Sequence, residues 1–150
     1  LGDSQIWGKH TPFERAVRTP LIIRAPGVGR AGARCDALVE GLDLYPTLVD
    51  LCRPGFARTQ YPLDGLSLRG LLDGSGPPVR EAAISYWGKA VTVRTATHRL
   101  IASRAGKGWS QVELYDLQGA PDPVENLAAR KPDLVKRLLE YLPAIPAAQR

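Results

Sequence analysis

Hydrophobic residues follow two different patterns along the 150 residues. In the front half, Leu21-Ile22-Ile23 is a short unbroken apolar run between Thr19-Pro20 and Pro26-Gly27. That pattern predicts a strand buried on both faces, as in a parallel sheet. Residues 28–34 form a Gly/Arg-rich loop, and Ala37 to Val39 is a second short strand candidate. Asp43 stands as an N-cap, with Pro46 tolerated in the first helical turn. Leu44, Leu48, Leu51 and Cys52 share one face of the helix that follows, and Pro54-Gly55 stops it. Residues 53–65 are turn-rich, and Leu66 to Leu72 predict a short helical turn. Gly74-Ser75-Gly76-Pro77-Pro78 is the best candidate for a subdomain boundary.

Beyond that point the pattern shortens. Ala82–Trp87, Ala90–Ala96, Arg99–Ser103 and Gln111–Leu117 predict four strands, with Gly88-Lys89 and Thr97-His98 as the short turns between the first three. Gly119 to Pro123 is a loop. Pro132 opens a helix that Pro143 ends, and Leu134, Leu138 and Leu142 recur every four residues with Val135 and Leu139 beside them. The expected fold class is α/β. Residues 1–78 would finish a main α/β domain, and residues 79–150 would form a small antiparallel four-stranded sheet packed with a C-terminal helix. One strand and one helix are too few to close an α/β sheet covered on both faces. The chain therefore reads as the C-terminal part of a larger α/β enzyme, as its start at Leu1 and its lack of any Met also suggest. No apolar run approaches the roughly 20 residues of a membrane-spanning helix.

Charge adds one feature. Lys+Arg number 20 and Asp+Glu 15. No acid lies between Glu81 and Glu113, where Lys89, Arg94, Arg99, Arg104 and Lys107 carry the whole excess. Such a stretch is either a surface facing a polyanion or a solvated strand face. The cations are evenly spaced, without the interleaved aromatics of single-strand binders, so no nucleic-acid partner is expected. In the structural reading Arg94 and Arg99 pair with Glu81, Glu113 or Asp116 across the sheet. Cys35 and Cys52 form no CxxC, and His10 and His98 are far apart, which argues against a zinc site. Two buried free thiols fit better than a disulfide.

Candidate chemistry concentrates in Trp7-Gly8-Lys9-His10-Thr11-Pro12-Phe13-Glu14. A Lys beside a Gly lets an ammonium approach an oxyanion, and His10 could move protons near neutral pH. The same residues could equally be an aromatic-anchored loop with an exposed Lys and His, in which Trp7 serves as the anchor. Asp116, Asp122 and Glu125 lack the dense alternation of a calcium loop and suit turns and caps. Ser67 and Ser85 have no Gly-x-Ser-x-Gly context.

The order of motifs resembles the sulfatases, and within them the iduronate-2-sulfatase-like branch of the alkaline-phosphatase-like superfamily. It runs Leu1-Gly2-Asp3, Trp7-Gly8-Lys9, Phe13-Glu14 and Pro20-Leu21-Ile22. It continues with Gly41 to Leu51, Leu63-Asp64-Gly65, Val93-Arg94-Thr95 with Arg99-Leu100-Ile101, Glu113 to Leu117, and Glu125 to Ala128. The resemblance spans nearly the whole chain. It implies hydrolysis of a sulfate ester, such as that of a sulfated uronic acid or a glycan. It also implies a calcium ion and a formylglycine nucleophile for the whole enzyme, and the rest of a sulfatase chain as partner. Lys9 is the catalytic residue that carries over, contacting the sulfate and its bridging oxygen. Asp3, Trp7 and His10 are candidate substrate contacts, although Ser4 stands where the family often has His. Departures are clear: there is no Cys/Ser-x-Pro-x-Arg, since Cys52-Arg53-Pro54-Gly55 lacks its Arg, and no metal ligand of the family is present. A phosphoesterase or phosphonate hydrolase of the same superfamily, and a non-catalytic polyanion-binding module using residues 82–112, are the alternatives.

Overall fold

The computed structural model describes residues 7–29, 31–55, 61–106, 108–119 and 123–143. Its elements are the short helix α1 (Glu14–Val17), a 3-10 turn (Gly41–Asp43), α2 (Leu44–Cys52), α3 (Arg69–Asp73), β1 (Ala82–Trp87), β2 (Ala90–Thr95), β3 (His98–Ala105), β4 (Gly108–Asp116) and α4 (Pro132–Leu139). They divide into two compact units. One holds Leu1–Pro20 with Ile84–Arg150, and the other holds Leu21–Ala83.

The four strands make a sheet in the order β1-β2-β3-β4, with β3 antiparallel to both its neighbours. Alternation decides which side chains go where. Val91, Val93, Leu100, Ala102 and Leu114 are fully buried. Register places Val93 opposite Leu100 and Leu100 opposite Leu114, so they share one face. Leu127, Leu138 and Leu142 are buried as well. Leu127 is fixed beside the edge of the sheet. Its amide donates to the Leu114 carbonyl (2.8 Å), and the Asn126 side chain accepts from the Leu114 amide (3.0 Å). The opposite face carries Thr92, Arg94 and Arg99, with Arg94 directly across from Arg99. A register shift between Ile101 and Ser103 marks a bulge in the β3–β4 pairing, and Gln111 there takes φ 48°. Pro132 opens α4, and the helix ends at Leu139, before Pro143.

The second unit is built around a carboxylate. Asp43 is completely buried. Its Oδ2 accepts from the Glu40 amide (2.8 Å) and its Oδ1 from the Leu66 amide (2.8 Å), while Arg80 pairs with both Asp43 and Glu40. The Asp43 side chain therefore closes a capping box with Glu40 rather than capping α2 directly. Thr47 continues the network: its Oγ1 donates to the Asp43 carbonyl (2.5 Å) and accepts from the Leu68 amide (2.9 Å). Gly65 passes so close to the Leu42 carbonyl that a Cβ would lie 2.0 Å from its oxygen.

Several sequence expectations are corrected. Leu21-Ile22-Ile23 forms no strand, and Ile22 is 92% exposed. Ala37 to Val39 is also irregular. A strand needs a neighbour for its amides and carbonyls, and none of the described residues pairs with either segment. On α2 the apolar positions Leu44 and Leu48 face solvent, and Thr47 is the buried residue. Cys35 and Cys52 are free thiols, as expected, but both are exposed rather than buried. Ser67 donates to the Asp50 carboxylate (2.7 Å) and Asp116 accepts from the Gln118 amide (2.9 Å), so both are committed to local structure.

Candidate functional site

The segment from Trp7 to Glu14 is held at its base. The Thr11 amide donates to the Lys9 carbonyl (3.0 Å), which turns the chain tightly after Lys9. The Phe13 amide reaches the Thr11 hydroxyl at 3.4 Å. Phe13 then packs edge-on against Tyr115 of β4, with ring centroids 5.9 Å apart. Glu14 enters the interior and becomes the hub of an ion cluster. Its Oε2 accepts from Arg99 Nε (2.9 Å), Arg99 Nη2 (2.5 Å) and Arg94 Nε (3.2 Å). Arg99 Nη1 completes the set by donating to the Thr92 hydroxyl (2.6 Å) and to the Pro12 carbonyl (3.3 Å).

Arg99 is only 3% exposed. Burial is the largest influence on it and lowers its pKa, while the hydrogen bonds to Glu14 oppose that shift. A guanidinium is nevertheless the right buried cation, because its fork supplies several donors to one carboxylate while holding its charge. Arg94 and Arg99 thus converge on Glu14, a partner the sequence reading did not name. The reason is geometric. Arg94 and Arg99 face each other across β2 and β3, and α1 places one carboxylate between them. This removes two of the five cations of that stretch from any polyanion-facing surface.

Above the anchored base, Lys9 and His10 are exposed and Trp7 is 80% exposed. Trp7 is therefore not the packing anchor of the loop; Phe13 and Glu14 are. His10 stacks on Trp87 at the end of β1, with centroids 4.9 Å apart and planes 21° from parallel. Asp3 lies outside the described residues. The structure thus brings Lys9 and His10 together on one clamped turn and adds Trp87. Sequence reading missed Trp87 and the Glu14–Arg99 pair. One signal was available for the pair: Glu14 is the sole acid between Asp3 and Asp36, just as Arg94 and Arg99 lie in a stretch without acids.

An open pocket of about 450 Å³ lies between the β2–β3 turn and α4, lined by Thr95, Thr97, His98, Leu134, Arg137 and Leu138 among others. His98 Nδ1 is 2.8 Å from the Thr97 hydroxyl, and Lys131 Nζ stands 3.4 Å from its Nε2. Burial lowers the His98 pKa, Asp116 opposes the shift, and Lys131 and Arg137 add to it. The pocket shares no lining residue with the Lys9 turn. Among the described residues, no three of His, Cys, Asp and Glu come together in a way that could hold a metal ion. With no Cys/Ser-x-Pro-x-Arg in the sequence either, calcium and formylglycine do not fit the residues present.

Comparison with known proteins gives a consistent family. The chain is 30% identical over 138 residues to a choline-sulfatase of Rhizobium meliloti, covering 85% of this chain and 25% of that protein. It is 28% identical to arylsulfatase K of Mus musculus, covering 91% and 26%. It is 26% identical to an N-acetylglucosamine-6-O-sulfatase of Bacteroides thetaiotaomicron, covering 100% and 28%. The chain thus spans about a quarter of the length of these relatives. Among solved structures, that of BT4656 in complex with its substrate D-glucosamine-2-N,6-O-disulfate superposes with a TM-score of 0.66 at 26% identity, over 81% of this chain and 27% of that one. The family model described as N-sulphoglucosamine sulphohydrolase, C-terminal, matches residues 2–145. A four-stranded antiparallel sheet followed by a C-terminal helix, carrying a clamped Trp-x-Lys turn, is accordingly the C-terminal part of a sulfatase fold, and the chain belongs to the sulfatase family through that C-terminal region.

Proposed function

We propose that the protein to which this chain belongs hydrolyses the sulfate ester of a sugar, and that Lys9 is the residue of this chain that touches the reacting group. The observation that carries the reading is the clamped turn: an exposed ammonium stands on a loop whose next few residues are locked into the sheet by Phe13 and Glu14. A cation aimed at a sulfate oxygen aids the reaction to the extent that it is already in place when charge builds on the bridging oxygen. Glu14 and Arg99 supply that rigidity without touching substrate. In this reading Lys9 Nζ donates to a sulfate oxygen and to the bridging oxygen as the ester bond lengthens. Asp3, Trp7 and His10 contact the remainder of the substrate.

The sugar enters from relatives. An N-acetylglucosamine-6-O-sulfatase and a structure bound to a disulfated glucosamine stand among them, and both handle an amino sugar. This supports a sulfated amino sugar over the sulfated uronic acid of the iduronate-2-sulfatase-like branch. Residues up to about 78 would complete the main α/β domain. The exposed apolar side chains of Ile22, Leu44 and Leu48 support this, since they suit a surface that other parts of a longer chain cover.

The test is turnover by the full-length protein of matched sulfate and phosphate esters of glucosamine, with and without Lys9→Ala. Sulfate turnover should exceed phosphate turnover, and Lys9→Ala should lower kcat/KM by about 10²–10³-fold, the usual cost of removing one preplaced donor from a developing oxyanion. A preference for the phosphate ester would move the protein to the phosphoesterases. Unchanged sulfate turnover in Lys9→Ala would remove Lys9 from the reaction.

A further inference from the structure

His10 and Trp87 form a stacked pair that core packing does not explain. Their rings lie 4.9 Å apart and 21° from parallel, yet Trp87 remains 52% exposed, with Tyr86 beside it also exposed. Such a pair leaves a broad aromatic surface in water, at a cost set by its area. It also presets the surface, because the imidazole stacked on one side restricts the indole before anything binds. The pair has a charged neighbour. His10 directly follows Lys9, and the Thr11 amide holds the turn that carries both.

A ligand that satisfies both neighbours needs an anionic group for the ammonium and a flat face with a polar rim for the indole. We propose that Trp87, braced by His10, is the platform on which the pyranose ring of a sulfated sugar lies while its sulfate meets Lys9. This rests on the sulfated-sugar reading above and deepens it by assigning the ring-binding half of the site. Recognition is divided: Lys9 holds the sulfate, and the β1–β2 hairpin, through Trp87, selects the ring. Trp87 is then a specificity-determining residue, and His10, besides its own substrate contact, positions it.

The test uses the full-length protein with two probes, glucosamine 6-sulfate for the whole site and inorganic sulfate for the Lys9 half alone. Affinity for the sugar is read as KM where it is turned over and as Kd by calorimetry where it is not. Affinity for inorganic sulfate is read as an inhibition or dissociation constant. Trp87→Ala should weaken the sugar at least tenfold and leave inorganic sulfate unchanged. Trp87→Phe should retain most of the sugar affinity, and His10→Ala should lose part of it. Unchanged sugar affinity in Trp87→Ala, or an equal loss for inorganic sulfate, overturns the platform while leaving the hydrolase reading in place. Trp87-dependent binding without hydrolysis upholds the platform and overturns the hydrolase. A wild-type protein that neither binds nor hydrolyses the sugar overturns both.

Discussion

Glu14 accepts three hydrogen bonds on a single oxygen from two guanidinium groups, one of them almost completely buried. Removing the carboxylate leaves two cations facing each other without compensation. Glu14→Ala should therefore cost about 3–5 kcal/mol, the usual penalty for orphaning one side of a buried pair. Replacing Glu14 and Arg99 together by Met should restore part of the loss. Urea unfolding of the full-length protein checks both, and a double variant less stable than the single would contradict the argument. His98 makes a second residue-scale prediction. Its folded pKa lies below the ordinary 6.5, chiefly because it is buried. The unfolded state then binds more protons than the folded state in the window just below 6.5, so stability is full above it and declines as pH falls through it. The neutral ring suits its neighbours, since Nε2 can accept from Lys131 while Nδ1–H donates to the Thr97 hydroxyl. Unfolding free energies at pH 7.5 and 6.0 should show this decline, and His98→Gln should flatten it.

At the scale of elements, what could be read from the sequence depends on whether an element finds its partners nearby. The four strands and the Pro-opened helix were legible because alternation, short turns and Pro132 are local signals, and the strands pair with their sequence neighbours. Leu21-Ile22-Ile23 carries an equally clear strand pattern and forms none, because burial in a sheet is a property of the neighbours and not of the run. Leu44 and Leu48 of α2 make the same point: they share an apolar face, yet both are exposed. The Asp43 hub was half legible. The carboxylate marked the start of the helix, but its bonds to Leu66 and Arg80 reach 23 and 37 residues along the chain. Gly65 permits that reach by touching the Leu42 carbonyl, and its side-chain-free approach is a requirement of the element. Gly65→Ala should destabilise the protein by about 1–3 kcal/mol, the range for forcing atoms into a filled space. Thermal unfolding that leaves Gly65→Ala equal to wild type would show that the Leu42 backbone yields freely.

For the whole molecule, the family was legible because motif order survives where single motifs are weak. The ion cluster beneath the Lys9 turn was not, because it joins residues 85 positions apart along the chain. The chain covers about a quarter of its relatives, and the described residues hold no metal-binding group. The isolated 150-residue polypeptide is expected to release no sulfate from glucosamine 6-sulfate, and to bind a hydrophobic dye through exposed apolar side chains such as Ile22, Leu44 and Leu48. Sulfate release by ion chromatography and dye fluorescence check the two halves of this expectation. Measurable release from the pure polypeptide would mean that the reaction needs less of the family's machinery than proposed.

The contact between Glu14 and Arg99 spans 85 residues, and this gives the site a history in time. A ribosome adds roughly 5–20 residues per second. The Lys9 turn therefore emerges with half of its clamp still to be synthesised, and waits for β3 before its base can close. A protease acting on nascent chains should find residues 7–14 open in chains that stop before Arg99 and protected once β3 and β4 have paired. Substitutions in the last two strands would then reach the Lys9 turn by leaving it unset, without touching it.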